Sequence, residues 1–473
     1  MSSVQDLPVS ETTPLLAGSN QDSADAVYER FSFRRKQTIL AIVSACGLLT
    51  YFTSSSFTPT IPQIAHDLET TGSIVNISVG IFVFFAAFGS LFWSRYSGYY
   101  GRQPIYVISL PIYFLASIGV AACRNVPELM IFRALQAFGS CAFQSVGAGT
   151  ISDIFRLDQR GRALGIFYGL GLSGPALAPV ISGMVAERFS WRVMQASLGV
   201  VGLIALVFVL IFLPETSHPG VRGIDHAQEE IKHGKKGVRK FVLLNPLSAL
   251  ALMKSPVVLL STLGAACAFM GDFIILIPLA YTLGKRYGIE NKAVVGAMFL
   301  PSGLGNTIGA PLAGWVSDYT VMKWREYRGG KWIPEDRLRA SWHGALLLVP
   351  LSTLGMGLAI QFIDGIPGLS INLILLFIHG VGMSLVFAPC STYSVDVMHD
   401  RSAEVVAANV AVRNILVAFA VVGALPCIET FGILFTNTMA SVLGWIGFAF
   451  IAICIRYGPQ LRAWSSISHT DAS

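Results

Sequence analysis

Four side chains able to carry charge stand inside long apolar stretches of the sequence: Arg133, Asp272, His379 and Arg413. A charge in hydrocarbon costs at least about 2.5 kcal/mol on insertion scales, so each must face protein or a water-filled cavity. Proton transfer is one use of such residues. A carboxylate shielded from water keeps its proton more readily, which lets Asp272 bind and release protons, and an imidazole such as that of His379 changes charge between about pH 5 and 8. Each also has a plainer use: Asp272 could pair with an Arg that joins two helices, and His379 could be a hydrogen-bonded packing residue. Arg133 and Arg413 would make a cavity attractive to anions, which points to a carboxylate-bearing ligand over a cationic one. Asn409 and Asn414 flank Arg413, while Tyr51 and Ser54 offer hydroxyl and aromatic contacts or ordinary helix packing.

The elements that must position these groups follow from composition. The chain has 473 residues, 53% of them hydrophobic and 13% charged, with mean hydropathy +0.62. Soluble domains carry roughly a quarter charged residues, so the soluble, disordered and disulfide-scaffold classes are excluded, and a polytopic membrane protein remains. About twelve stretches reach the roughly 20 apolar residues that a spanning helix needs. Six lie on each side of a polar gap, giving an N-terminal tail over 1–36, a bundle over 37–213, a linker over 214–255, a second bundle over 256–457 and a tail over 458–473. Carriers built from internal repeats are divided this way, with a site between the halves. The linker holds Lys232, Lys235, Lys236, Arg239 and Lys240, and most of the 33 basic residues fall in loops on one side if both termini are cytoplasmic. Topology therefore explains the net charge of +6, and no nucleic-acid partner is expected.

The first 36 residues read as neither signal nor transit peptide. Within them, Glu11-Thr12-Thr13-Pro14-Leu15-Leu16 resembles an acidic dileucine sorting signal, a partner site for endosomal or vacuolar adaptors, although such short patterns arise easily in disordered tails. Cys46, Cys141, Cys267, Cys390 and Cys454 are expected as buried small side chains, and a bond between Cys123 and Cys427, near the outer ends, is left open. No metal-ligand spacing and no Gly-x-Ser-x-Gly elbow is present, and the Gly-x-Gly-x-x-Gly of residues 169–174 lies in an apolar span with no preceding strand, so no enzyme is expected.

Several short motifs carry a more specific message. After the second span, Ser94, Gly98, Gly101 and Arg102 occupy a tight-turn pattern, and after the eighth, Gly314-Trp315-Val316-Ser317-Asp318 repeats it. The fourth span carries Arg133-Ala134-Leu135-Gln136-Ala137-Phe138-Gly139, the fifth Gly174-Pro175-Ala176-Leu177-Ala178-Pro179 through Gly183, and the eighth a Gly-rich run, Leu300 to Gly309, followed by Pro334-Glu335-Asp336-Arg337-Leu338. Together these resemble the major facilitator superfamily and, within it, the fungal twelve-span drug:proton antiporters. The resemblance implies an all-α integral membrane fold of twelve helices in two six-helix bundles. It implies a part in proton transfer for Arg133 beside Asp272 and His379, and a central cavity lined by Tyr51, Ser54, Gln136, Asp272, His379, Asn409 and Arg413. It makes Gly174, Pro175 and Pro179 an exporter-type helix, and Gly101, Arg102, Gly314 and Asp318 a gating set in which Asp318 locks against the end of another helix while Gly98 either marks a lost copy or simply ends a helix. The expected activity is proton-coupled efflux of a drug, organic acid, polyamine or secondary metabolite, the alternative being proton-coupled uptake. No cofactor beyond the proton gradient is expected, and the chain is expected to sit as a monomer in the bilayer of the cell membrane or, alternatively, the vacuolar membrane.

Overall fold

The structure is a computed structural model that describes residues 28–470 except 156, 219–221, 226–241, 243, 278, 290, 332 and 399–401. Residues 11–16 and the linker lysines lie outside the described residues. Twelve long helices follow in order: α1 Phe33–Ser56, α2 Gly72–Tyr100, α3 Arg102–Ala122, α4 Val126–Ile154, α5 Leu157–Arg188, α6 Trp191–Phe212, α7 Pro256–Leu276, α8 Leu300–Tyr327, α9 Val349–Phe362, α10 Gly365–Val397, α11 Ser402–Phe431 and α12 Ile433–Thr470. Short helices at Ile61–Asp67, Leu279–Arg286 and Lys292–Ala297 cover one end and Glu335–Arg339 the other. No strand occurs among the described residues. Helices are forced here, because a segment in lipid must satisfy its backbone groups internally.

Eleven of these helices are long and apolar enough to cross a membrane. The exception, α4, carries Arg133, Gln136 and Gln144 and packs in the interior on α1, α2 and α3. By contrast α6 exposes Val200, Leu203, Ile204, Val207, Phe208 and Ile211, an apolar face for lipid. Outer helix starts are capped in sequence: the Asn125 side chain accepts from the Glu128 backbone N–H, while the Glu128 carboxylate accepts from Arg124 N and Asn125 Nδ2. At the other extreme α12 continues to Thr470, so residues 458–470, expected as a tail, extend the last helix.

The two bundles repeat one packing scheme. In the first, α1 packs on α5, α2 on α4, and α3 on α4 and α6; in the second, α7 packs on α11, α8 on α10, and α9 on α10 and α12. The bundles meet along two seams, α2 with α11 and α5 with α8. Both seams are closed at the outer end. A side chain at Gly183 would strike the Lys292 carbonyl, one at Gly296 the Pro179 carbonyl, and one at Gly303 the Ala176 backbone. Asn76 Nδ2 donates to the Val421 carbonyl, and the Ser73 hydroxyl donates to Glu429 at 3.0 Å. Toward the inner end α5 and α8 part: residues 165, 166 and 168–170 of α5, and 314, 315, 318 and 319 of α8, are exposed. The seam between α2 and α11 holds there, with Leu91 packed among Ala407, Ala408 and Ala411. The bundles therefore touch at one end of the molecule and stand apart, along α5 and α8, at the end that carries the basic loops.

Candidate functional site

Asp272 on α7 and His379 on α10 were singled out separately, and the structure brings them together. His379 is 0% exposed and Asp272 7%, with Nε2 and Oδ1 3.4 Å apart. The other ring nitrogen, Nδ1, meets the hydroxyls of Ser352 and Thr353 on α9 at 3.2 and 3.3 Å. Those hydroxyls make shorter contacts to α9 carbonyls: Thr353 donates to Val349 at 2.8 Å, and Ser352 to Leu348 and Val349. With their hydrogens placed there, both oxygens can only accept, and Nδ1 must be the ring donor. Nε2 then faces Asp272 Oδ1, and among the described residues neither of these two buried atoms has a hydrogen-bond partner. A single hydrogen placed between the two atoms would give both a partner.

Arg133 lies elsewhere, buried at 0% exposure in the first bundle. Its guanidinium is 4.2 Å from the Phe57 ring centroid and 4.3 Å from that of Phe82, and Nη1 donates to Gln136 Oε1 at 2.9 Å. Nε and Nη2 are sealed without an acceptor. Gln136 was expected at the cavity wall. It is instead 0% exposed and donates to Ser117 of α3 and Gln195 of α6, so it belongs to the support of Arg133.

Arg413, half-buried midway along α11, projects between the halves. Its guanidinium carbon lies 4.4 Å from the Phe269 ring of α7 and 5.0 Å from the Phe387 ring of α10, and it stands within Coulombic range of Tyr51 on α1. The Tyr51 oxygen accepts from Gln144 Nε2 of α4. One turn below Arg413, Asn409 accepts from the Thr262 hydroxyl at 2.7 Å, and Ser54 is half-buried on α1. Of the expected cavity set, Tyr51, Arg413 and Asn409 thus gather near the junction, whereas Asp272 and His379 pair within the second bundle. Gln144, Phe269 and Phe387 were not anticipated, because an amide and two rings in apolar helices carry no distinguishing spacing.

The gating turns rest on carboxylates that sequence reading passed over. Gly101 has φ +106°, and a Cβ there would collide with Glu215, whose carboxylate caps α3 by accepting from Arg102 N at 2.9 Å and Gln103 N at 3.2 Å. Arg102 Nε donates to Asp153 at 2.9 Å. In the second half Arg337 Nε donates to Asp396 at 2.6 Å. Asp153 and Asp396 are each the penultimate residue of their helix, α4 and α10, so the repeat extends to the acids. Asp318 was expected to lock a neighbouring helix. It is 73% exposed and, among the described residues, reaches only Arg337 of its own half, at 3.5 Å, where α5 and α8 stand apart. Across the other seam Arg95 of α2 meets Glu404 of α11 at 3.5 Å, one turn from the open position at Gly98. Outside the membrane spans, Asp336 hydrogen-bonds Arg328 and holds that guanidinium protonated more firmly than usual. Gly174, Pro175 and Pro179 lie in the part of α5 wedged between α1 and α8, where Gly174 abuts Tyr51 and Phe52. All seven cysteines, Cys123 and Cys427 included, are free thiols.

Known proteins share this architecture and sequence. MFS antiporter QDR3 of Candida albicans is 38% identical over 181 residues, covering 38% of this chain and 26% of that protein. Citrate exporter 1 of Aspergillus niger is 26% identical over 359 residues, 67% of this chain and 66% of the exporter. The chain thus spans less than two thirds of either relative's length. Efflux pump radE of Floropilus chiversii is 24% identical over 90% of this chain and 80% of the pump. Among solved structures, a bacterial homolog of the human lysosomal transporter Spinster, inward-facing and unoccupied, superposes with TM-score 0.66 at 14% identity, over 91% of this chain and 99% of that one. Residues 43–421 match the model of the Major Facilitator Superfamily, and the chain, with its paired bundles and repeated turns, belongs to that superfamily as a multi-pass membrane transporter.

Proposed function

We propose that this transporter exports a small organic compound in exchange for protons, drawing on the proton gradient alone and working as a monomer by alternating access in the cell membrane. The observation that supports the reading is the buried Asp272–His379 pair, whose facing atoms lie 3.4 Å apart without a hydrogen-bond partner and would both be satisfied by one proton. Loss of that proton would leave two acceptors facing each other and loosen α7 from α10. The proton's presence is thereby tied to how the second bundle packs, which is what coupling requires. The matched relatives named as antiporter, exporter and efflux pump support the outward direction of transport.

Flux in sealed proteoliposomes under an imposed pH gradient tests this, with organic acids, polyamines and cationic drugs as candidate cargo. Wild type is expected to move cargo against its gradient when protons run the other way. Asp272→Asn should lose that uphill flux and keep downhill exchange, and His379→Gln should lower uphill flux by about tenfold, the effect of some 1.4 kcal/mol. Flux indifferent to the gradient in wild type would sink proton coupling. Cargo moving with the protons would favour uptake on the same fold.

A further inference from the structure

We propose that Arg413 and Tyr51 form a carboxylate-binding site where the two bundles meet, so that the cargo is an organic anion; this rests on the export reading above and specifies its substrate class. The central feature is a cation left unanswered by the protein. Arg413 has no carboxylate within ion-pair distance among the described residues; its Nε makes only a long contact to Asn414 at 3.5 Å, and Nη1 and Nη2 donate to no described acceptor. Those two nitrogens differ from the orphaned Nε and Nη2 of Arg133, which are sealed from solvent, in that solvent reaches them. An unpaired guanidinium is costly away from bulk water, and one kept accessible between two mobile halves is free to take its counter-ion from the cytoplasm.

Geometry narrows the class from anion to carboxylate. The Phe269 and Phe387 rings, nearly perpendicular to each other, have their centroids 4.4 and 5.0 Å from the guanidinium carbon and engage its charge. The Nη1 and Nη2 N–H groups are left without an acceptor among the described residues, and such a fork matches two oxygens in one plane. Tyr51 supplies a second donor from the opposite half. Because its oxygen accepts from Gln144, the phenol hydrogen is left for the cavity, and the hydroxyl stands within Coulombic range of Arg413. A ligand gripped by both would touch α1 of one bundle and α11 of the other, and would thus report its presence to the seam that opens. The adjoining rings favour an apolar body next to the carboxylate. Among the described residues the acid nearest this site along α7 is Asp272, and it is already committed to His379, so a polyamine or cationic drug would find no free counter-ion here.

The test is equilibrium binding to purified full-length protein with no pH gradient, so it stands apart from proton coupling. Benzoate, succinate, spermidine and tetraphenylphosphonium serve as probes, read by calorimetry and by the melting temperature. A carboxylate is expected to bind. Arg413→Gln should weaken it by roughly thirtyfold or more, as loss of one partner of a buried charge-assisted contact does. Arg413→Lys, which keeps the charge without the fork, should give an intermediate loss, and Tyr51→Phe a loss of several-fold. Should Arg413→Gln fail to fold, Arg413→Lys and Tyr51→Phe carry the same comparison. Binding of none of the carboxylates, preferential binding of the cations, or carboxylate binding untouched by every Arg413 and Tyr51 variant would overturn the proposal. Gradient-driven export of a cation with no carboxylate binding would defeat this site and leave the export reading standing; carboxylate binding with gradient-independent flux would do the reverse.

Discussion

Arg133 shows why a fully buried cation deserves separate accounts of stability and function. Two aromatic faces and one amide offset its charge. Each ring contributes about 0.5–2 kcal/mol, while the effective desolvation of an ion in a protein interior costs several kcal/mol. Two guanidinium nitrogens remain without acceptors, so the arrangement gives the folded state little net benefit over an apolar side chain of similar length. We therefore expect Arg133→Met to keep or raise the melting temperature of the purified protein while abolishing uphill flux. A fall of more than about 5 °C, worth more than about 1 kcal/mol for a large domain, would instead make Arg133 a structural residue. The sequence exposed Arg133 because a charge in an apolar run is conspicuous. Its surroundings were hidden, since Phe57 and Phe82, which flank it, and Ser117 and Gln195, which hold its partner Gln136, come from four other segments and are ordinary in composition.

At the level of helices, α5 and α8 are shaped by what they omit. Gly303 of α8 lies so close to Ala176 of α5 that no Cβ fits, and Gly305 and Gly309 on the same helix turn their bare faces to α10. Small residues let helices approach in a membrane, where packing replaces the hydrophobic effect as the driving force. Gly303→Val should therefore force the outer seam apart and destabilise the protein by roughly 1–3 kcal/mol, the usual effect of overpacking. Gly169→Ala, on an inner stretch of α5 with open space around it, is the control and should melt as wild type does. Equal melting temperatures for the two variants would mean that the outer seam is not held by this contact. Long apolar runs made the spans legible, and the glycine runs pointed to close approach. The acids holding the turns were not legible, because Asp153 and Asp396 lie some fifty or more residues from the arginines they bind and no local pattern marks them. The absent acid at Gly98 was read as a lost lock. Arg95 and Glu404 occupy that seam with the charges in the opposite order, Arg on α2 and Glu in the first turn of α11, where its charge favours the helix N-terminus.

Across the whole molecule, the Asp272–His379 pair, proposed to hold the proton, lies close to Arg413. Asp272 is three residues beyond Phe269 on α7, about 4.5 Å of helix rise, and His379 is eight residues from Phe387 on α10, about 12 Å. Holding a proton makes the pair more positive. A cationic cargo would compete with that proton for the carrier, which is the simple electrostatic route to exchange, but an anion at Arg413 is attracted by it. If the cargo is an organic anion, exchange cannot come from charge competition and must be enforced by the gate: a carrier loaded with both must fail to close its inner end, where α5 and α8 stand apart and Asp318 is still exposed to solvent. This separates equilibrium from transport. Without a gradient, carboxylate affinity should rise as the medium is made more acidic and the pair takes up its proton, and it should be flat in Asp272→Asn. With a gradient, net carboxylate export should still run against proton entry. Affinity that falls with acid would mean that proton and cargo compete, and would argue for a cation in the cavity. Export driven by acid on the inside would mean that the proton leaves together with its cargo, and that the gate closes on the doubly loaded carrier after all.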